Sequence, residues 1–265
     1  MTDLWPSLVA LIDARRPGFL AKAEGVERAE LARWEARFGL TLPRIYVDLM
    51  RAMGRSSGGF EPLGPYEHRL DPLAEQWAWL AEEEPAPYPR DQYFLVGFDP
   101  DPSAISPFEL FLDLSRGDGA DAALVEMGSN GVYEADARHD IRQTLGELLA
   151  ERTLTCFELG ARPERGGLLI FGDPASLPSI KAEVVRQLRD MGGSLLPPDL
   201  AGVTCLRLAS TSVLVSLGVR QDWVAVAVAG DTREDVAAPL SRLHASWPRS
   251  TPRSMSGDRA RRAGR

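Results

Sequence analysis

Between Val26 and Gly54 the chain specifies two helices joined by a turn so short that they must pack against each other. Leu31, Trp34 and Phe38 recur at i, i+3 and i+7, which places them on one helical face. Gly39 follows, at the left-handed C-terminal position that glycine adopts without strain. Pro43 then opens a second helix, where its missing N–H costs nothing. That helix carries Ile45, Leu49 and Met53 at i, i+4 and i+8 and stops at Gly54. Two apolar faces held this close need a third layer to cover them, and the downstream sequence supplies strands. QYFLVGF (92–98), FELFLDL (108–114) and AALVEM (122–127) read as strands, with turns at DPDPS (99–103) and SRGDG (115–119). A short strand is expected around Val132 and Tyr133. Asp140 is expected to cap a helix carrying Ile141, Leu145, Leu148 and Leu149. Residues 1–23 form a separate N-terminal helix with Leu4, Leu8, Leu11 and Ile12 on one side, ended by Pro17-Gly18. The segment 24–158 thus reads as an α+β domain of helix, helix, sheet and helix.

A linker is expected at 159–167, where GARPERGG is rich in turn formers. Beyond it, 168–248 reads as a smaller α+β domain in the order βαβββα, a sandwich-like variant of the ferredoxin-like split βαβ. Its first helix (177–191) is lined by Leu177, Ile180, Val184, Leu188 and Met191. Its second (232–247) is lined by Val236, Leu240, Leu243 and Trp247, and Pro239 is expected to kink it. Residues 249–265 hold six Arg against one Asp, lack apolar periodicity and are expected to be a disordered tail.

Charge is distributed unevenly. The chain carries a net −8 over 265 residues, yet 61–121 alone has 14 acids against 3 Arg, a net of −11. Such a field repels nucleic acid and speeds encounter with a basic protein. The acids expected to form a partner-binding face are Glu82, Glu83, Glu84, Asp99, Asp101, Asp113, Asp118 and Asp121. No run approaches the roughly 20 apolar residues that span a bilayer. The start of the chain lacks the basic and apolar regions of a secretory signal, so a cytoplasmic setting without membrane attachment is expected. Two cysteines, Cys156 and Cys205, are too few for a disulfide scaffold or a Cys-ligated zinc site.

The string ERAELARWEARFGLTLPRIYVDLMRAMGRSSGGF (27–60) resembles the opening of the SUKH superfamily. The motif is an acidic, aromatic-bearing helix, then Gly-x-x-Leu-Pro, then Tyr-x-x-x-Leu/Met and a glycine-rich loop. Here it falls on Glu30, Trp34, Phe38, Gly39, Leu42, Pro43, Tyr46, Met50 and Gly58-Gly59. A second stretch, FLDLSRGDGADAALVEMGSNGVYEADARHDIRQTLGELL, resembles the later part of the same pattern. The likeness covers about 24–158. It implies a fold shared by bacterial immunity proteins that neutralise toxins and by fungal regulators of cell-wall synthesis. Trp34, Phe38, Gly39, Leu42, Pro43 and Tyr46 read as packing and turn residues within that fold, not as ligand contacts.

Enzyme signatures are missing from the sequence. His68, His139 and His244 do not fall at metal-ligand spacing, and no G-x-S-x-G elbow or G-x-x-x-x-G-K loop occurs. Asp99-x-Asp101-x-Ser103 opens like a calcium loop but has Ala104 where glycine is required and Leu110 where the closing Glu belongs. No catalytic residue, cofactor or metal is therefore assigned. The expectation is a non-enzymatic protein that binds a protein partner. The leading form is an immunity protein facing a basic, nuclease-type toxin, and the alternative is a cytoplasmic regulatory scaffold with 168–248 as a second docking domain.

Overall fold

A computed structural model describes residues 4–82, 88–101, 108–128, 138–218 and 222–253. The chain divides into two compact units, 1–152 and 153–265. Helices and antiparallel sheets occur in both, so the fold is α+β.

In the first unit, α1 (Leu4–Arg15) packs on α3 (Arg44–Met53) through Leu8 and Ile12, so it belongs to this unit and is not a separate element. Helix α2 (Arg28–Phe38) ends at Gly39, whose φ of +63° is the left-handed conformation the sequence requires. The sheet runs β1 (Tyr93–Phe98), β2 (Phe108–Gly117), β3 (Ala122–Gly128) and β4 (Arg138–Thr144) in spatial order, all antiparallel. Phe94 of β1 is fully buried and meets the rings of Trp34, Phe38, Tyr46 and Trp77 at 5.2–6.2 Å. Trp34 and Phe38 are half-buried, while Leu42, Ile45, Leu49 and Leu145 are buried.

Trp77 arrives on an element the sequence reading lacked. Helix α4 (Leu70–Glu82) buries Leu70, Leu73, Trp77 and Leu80, spaced i, i+3, i+7 and i+10. The Trp77 indole N–H donates to the Leu95 carbonyl at 3.3 Å, so α4 also occupies a backbone group of edge strand β1. A second difference concerns Asp140 and Ile141, which lie in β4 instead of opening a helix. Arg138, His139 and Asp140 pair with Met127, Glu126 and Val125 of β3, and that ladder overrides a polar sequence with weak strand preference. Helix α5 (Leu145–Thr153) starts after Thr144. The Glu147 N–H donates to the Thr144 hydroxyl at 3.3 Å and the Thr144 N–H to the Glu147 carboxylate at 3.2 Å, a capping box. The strand expected around Val132 lies outside the described residues.

The second unit begins with a π-helical turn at Leu154–Glu158 and a short turn at Leu159–Ala161. Then come β5 (Glu164–Phe171), α6 (Leu177–Asp190), β6 (Ser194–Leu196), β7 (Val203–Leu208), β8 (Thr211–Leu217), β9 (Trp223–Gly230), α7 (Arg233–Ser246) and β10 (Thr251–Arg253). Two expectations fall here. Residues 164–167 are not linker but strand, paired with Gly230–Ala227 of β9, and 251–253 of the expected tail are strand as well. Residues 254–265 lie outside the described ones. The sheet order is β10-β5-β9-β8-β7-β6, every pair antiparallel. Strands β5 and β6, joined through α6, run in the same direction with three strands between them, where a ferredoxin-like split βαβ has one. Alternation along these ladders puts Leu168, Ile170, Val213, Val215, Val224, Val226 and Val228 on one face, where they share a core with Leu177, Val184 and Leu188 of α6 and Val236 and Leu243 of α7.

Helix α7 runs through Pro239 without a break. Proline deprives the Asp235 carbonyl of its i+4 donor, and the Thr211 hydroxyl takes the place of that donor at 3.3 Å. Lys181 stands in the buried stripe of α6. Its ammonium donates to the Leu200 carbonyl at 3.1 Å and to the Thr204 hydroxyl at 2.7 Å, and that hydroxyl donates in turn to Asp199 at 2.8 Å. A buried cation thereby receives acceptors in place of water.

Candidate functional site

Among the described residues, the acids of the segment do not form one face. Asp113 lies within β2 where its ladder with β1 ends, Asp118 just beyond β2 and Asp121 just before β3, whereas Asp99 and Asp101 follow the far end of β1. The register pairs Tyr93 with Asp113 and Phe98 with Glu109, so the two groups sit at opposite ends of the ladder, about 20 Å apart at 3.3 Å per residue. Glu83 and Glu84 lie outside the described residues.

Several of these acids work inside the fold. Asp113, expected on the surface, is 1% exposed; its carboxylate accepts from the Ser115 hydroxyl (2.6 Å), the Arg116 guanidinium (2.8 Å) and the Gln92 amide (3.2 Å). Burial pushes its pKa up, but the hydrogen bonds from Ser115, Gln92 and Arg116 outweigh it and hold the carboxyl below its usual range. Asp121 is also withdrawn. Both its oxygens accept from the Gly146 N–H at 3.1 Å, and one accepts its neighbour Ala122 N–H at 2.8 Å. It therefore sits at the N-terminus of α5, where amides lack helical partners. Desolvation raises its pKa in spite of these bonds and one from Thr144. Asp118 remains exposed but accepts the Ala120 and Asp121 N–H groups at 3.0 Å each, shaping the turn.

That turn closes the first unit. The Gly119 and Ala120 carbonyls accept the first two amides of α3, Arg44 N–H and Ile45 N–H, at 3.0 Å each. One four-residue turn, Asp118–Asp121, thus satisfies the N-terminus of α3 with carbonyls of its backbone and that of α5 with a side chain. The two stretches that carry the sequence resemblance meet at this point.

Arginines neutralise other acids of the segment. Arg55 reaches Asp71 at 3.3 Å as well as Glu30, outside the segment, at 2.7 Å; Arg152 reaches Glu61 at 3.5 Å, and Arg69 reaches Glu67 at 2.6 Å. Glu67 also accepts the His68 and Arg69 amides at 2.9 Å, and its pKa falls to about 2, chiefly through the Arg69 hydrogen bond.

Helix α4 presents a different surface. Glu75, Trp79 and Glu82 are exposed at i, i+4 and i+7, on the side opposite Leu73, Trp77 and Leu80. Trp79 is 43% exposed, one of two large apolar side chains so open among the described residues. Of the acids expected to bind a partner, Glu82 stands on this stripe. Neither Glu75 nor Trp79 was assigned to the site from sequence, although their spacing carries the signal.

No convergent catalytic cluster forms among the described residues. Buried Glu109 accepts from the Gln76 amide at 2.5 Å, and buried Glu126 accepts from the Tyr66 hydroxyl. These two carboxylates lie on opposite faces of the sheet, because Glu109 pairs with Met127 and Glu126 with Leu110. Gly97, in register with Leu110, lets Tyr66 cross the sheet: a Cβ there would stand 2.9 Å from that of Tyr66. His244 meets the Ser250 hydroxyl at 2.7 Å, but that hydroxyl's proton goes to the Trp247 carbonyl at 2.6 Å. The imidazole therefore donates to Ser250, the reverse of a general base on a nucleophile. His68 is buried, and desolvation lowers its pKa. Cys156 is half-buried in the π-helical turn and Cys205 is buried in β7. No group of three or more His, Cys, Asp or Glu able to hold a metal occurs among the described residues. Nor is any helix among them long and apolar enough to cross a membrane.

No family model, curated protein or solved structure matches this chain.

Proposed function

We propose that this chain is a non-enzymatic binding protein of the SUKH type, an immunity protein that captures a basic, nuclease-type toxin in the cytoplasm. The observation that carries the reading is the outer stripe of α4. An exposed tryptophan between two glutamates combines the residue type most enriched at interface hot spots with charge complementary to a basic surface. The sequence continues past Glu82 with Glu83 and Glu84, which extends the negative field. A further support is the meeting of the two SUKH-like stretches at the Asp118–Asp121 turn, which gives their order in the chain a physical use: the turn serves a Leu-Pro-opened helix on one side and a capped helix on the other.

The test is protection of cells against a toxin encoded by a neighbouring gene. Co-expression should restore growth. Trp79→Ala with Glu75→Lys and Glu82→Lys should abolish protection while leaving the melting temperature within about 2 °C, since exposed charges and one exposed ring contribute little to stability. Association of the purified pair should slow as salt rises, because exposed charges are screened over about 8 Å at physiological ionic strength. Equal protection by the triple variant would remove α4 as the binding face. The lack of any neighbouring toxin that this protein neutralises would remove the immunity reading.

A further inference from the structure

The segment that leads into α4 is fastened to the first unit by backbone at two points. Glu67 pairs with Phe98 in both directions, its N–H donating at 2.8 Å and its carbonyl accepting at 3.1 Å. The Leu70 N–H donates to the Gly54 carbonyl, just past α3, at 2.8 Å. Gly97 of β1 lets this seam lie close, since a Cβ there would stand 2.9 Å from the Tyr66 Cβ and 3.3 Å from the Glu67 carbonyl oxygen. His68 sits between the two fastenings and is 6% exposed. A ring N–H donates to the Tyr66 carbonyl, while Nε2 is buried without a hydrogen-bond partner among the described residues. A neutral imidazole leaves a bare lone pair there. An imidazolium would bury a charged N–H with no acceptor, which costs far more.

The nearest counter-charge is already committed. Glu67 accepts the His68 and Arg69 amides and the Arg69 guanidinium, and Arg69 itself opposes a second cation. Of the neighbouring elements, β1 brings Gly97 and Phe98, which carry no charge. Beyond Gly54, Arg55 is bound to Glu30 and to Asp71 of α4, and Glu126 of β3 accepts from the Tyr66 hydroxyl. Desolvation accordingly lowers the His68 pKa against the pull of Glu67. Glu67, held at about 2, and Arg55 and Arg69, both raised, keep their charges in the window where histidine titrates. We propose that the buried His68 imidazole is an acid-operated latch on this seam, closed while neutral and eased open by a proton. The open seam returns His68 to water and to its ordinary pKa of 6.5, so the open form binds a proton that the closed form resists. Closure is strongest above 6.5 and weakens as pH falls below it. One unit below that value the open form gains about tenfold in weight. Opening frees the first turn of α4, the helix that carries the exposed Trp79 stripe, so acid loosens the surface on which the proposed capture of a partner rests.

Amide hydrogen exchange on the full chain at about pH 7.5 and pH 5.5, corrected for the intrinsic rate, reads this opening. Protection of the Glu67, Leu70 and Phe98 amides should fall about tenfold between the two. Protection of Phe111 and Leu112 in β2, a strand paired on both sides, should stay constant. His68→Gln, which cannot gain the proton, should remove the fall, and His139→Gln should retain it. No fall at the seam, an equal fall in β2, or a fall that survives His68→Gln would overturn the proposal. Imidazole proton shifts of the unaltered chain give the answer where His68→Gln does not fold. The His68 ring should titrate below 6.5, and titration at or above 6.5 would overturn the latch. No partner enters these measurements, so the latch and the reading of the Trp79 stripe fail separately.

Discussion

Asp121 ties α5 to the sheet through acceptor geometry, and its substitution separates geometry from charge. Asp121→Ala removes the acceptor for the Gly146 N–H, the Ala122 N–H and the Thr144 hydroxyl together. Each donor left unpaired in a buried place costs about 1–3 kcal/mol. Asp121 is half-buried, so water can satisfy part of the deficit, and a total of about 2–3 kcal/mol is expected. Asp121→Asn keeps a carbonyl acceptor and deletes a charge that desolvation opposes, so its cost should be below about 1 kcal/mol. The pH dependence has a defined sign. A carboxyl whose folded pKa is raised binds its proton more tightly in the native state, so stability falls as pH rises from the ordinary 3.8 through the folded value, and is flat above it. The asparagine variant should lack that decline. Urea denaturation followed by tryptophan fluorescence, with hydrogen exchange at the first amides of α3 and α5, measures both effects. A variant Asp121→Ala as stable as the original, or Asp121→Asn equally damaging, would refute the role of the carboxylate as an acceptor. A third substitution tests the close approach: a Cβ at Gly146 would stand 2.6 Å from an Asp121 oxygen and 2.7 Å from Leu4. Gly146→Ala and Asp121→Ala should therefore be non-additive, since the first already displaces the carboxylate that the second removes.

Phe94→Ala should cost about 3–5 kcal/mol, because the ring at the centre of four aromatic neighbours leaves a cavity they cannot all collapse into; thermal melting reads this directly. Gly97→Ala should cost about 1–3 kcal/mol by overpacking against the Tyr66 Cβ, and because alanine keeps that atom, Tyr66→Ala in the same chain should not relieve it whereas Tyr66→Gly should. Glu67, with a pKa lowered to about 2, contributes stability that is present above 4.5 and lost as pH falls toward 2. Acid titration of Glu67→Gln should show a shallower loss in that window.

The parts of the fold that could be read from sequence were those where local chemistry and tertiary packing agree. Gly39 and Pro43 bound a helical hairpin by backbone preference alone, and the Val-rich strands β8 and β9 alternate into a core as their pattern demands. Helix α4 carries an equally clear apolar period in Leu70, Leu73, Trp77 and Leu80, but it is interleaved with acids on the opposite side, so the segment's composition reads as charge. Strand β4 was illegible for a physical reason: its identity comes from β3, and its own residues are polar. The candidate site divided similarly. Glu82 stands on the exposed stripe, whereas Asp113 and Asp121 serve donors contributed by Gln92, Arg116, Thr144 and Gly146, several of them remote in sequence. A carboxylate's partners are a property of the fold, and composition counts charge without showing where it is spent.

The order of strands in the second unit also sets a timetable. Strands β6 to β9 are consecutive neighbours that can zip by short hairpins as they form, but Ile170 of β5 finds Val224 of β9 only 54 residues later. At about 5–20 residues per second, a nascent β5 waits roughly 3–10 s on the ribosome before its partner exists. During that interval Leu168, Leu169, Ile170 and Phe171 have neither edge paired, and β10 arrives later still. The segment of this unit most exposed to misassociation during synthesis is the one the chain makes first and completes last, so chaperone capture and codon-dependent pauses should act most strongly between residues 172 and 224.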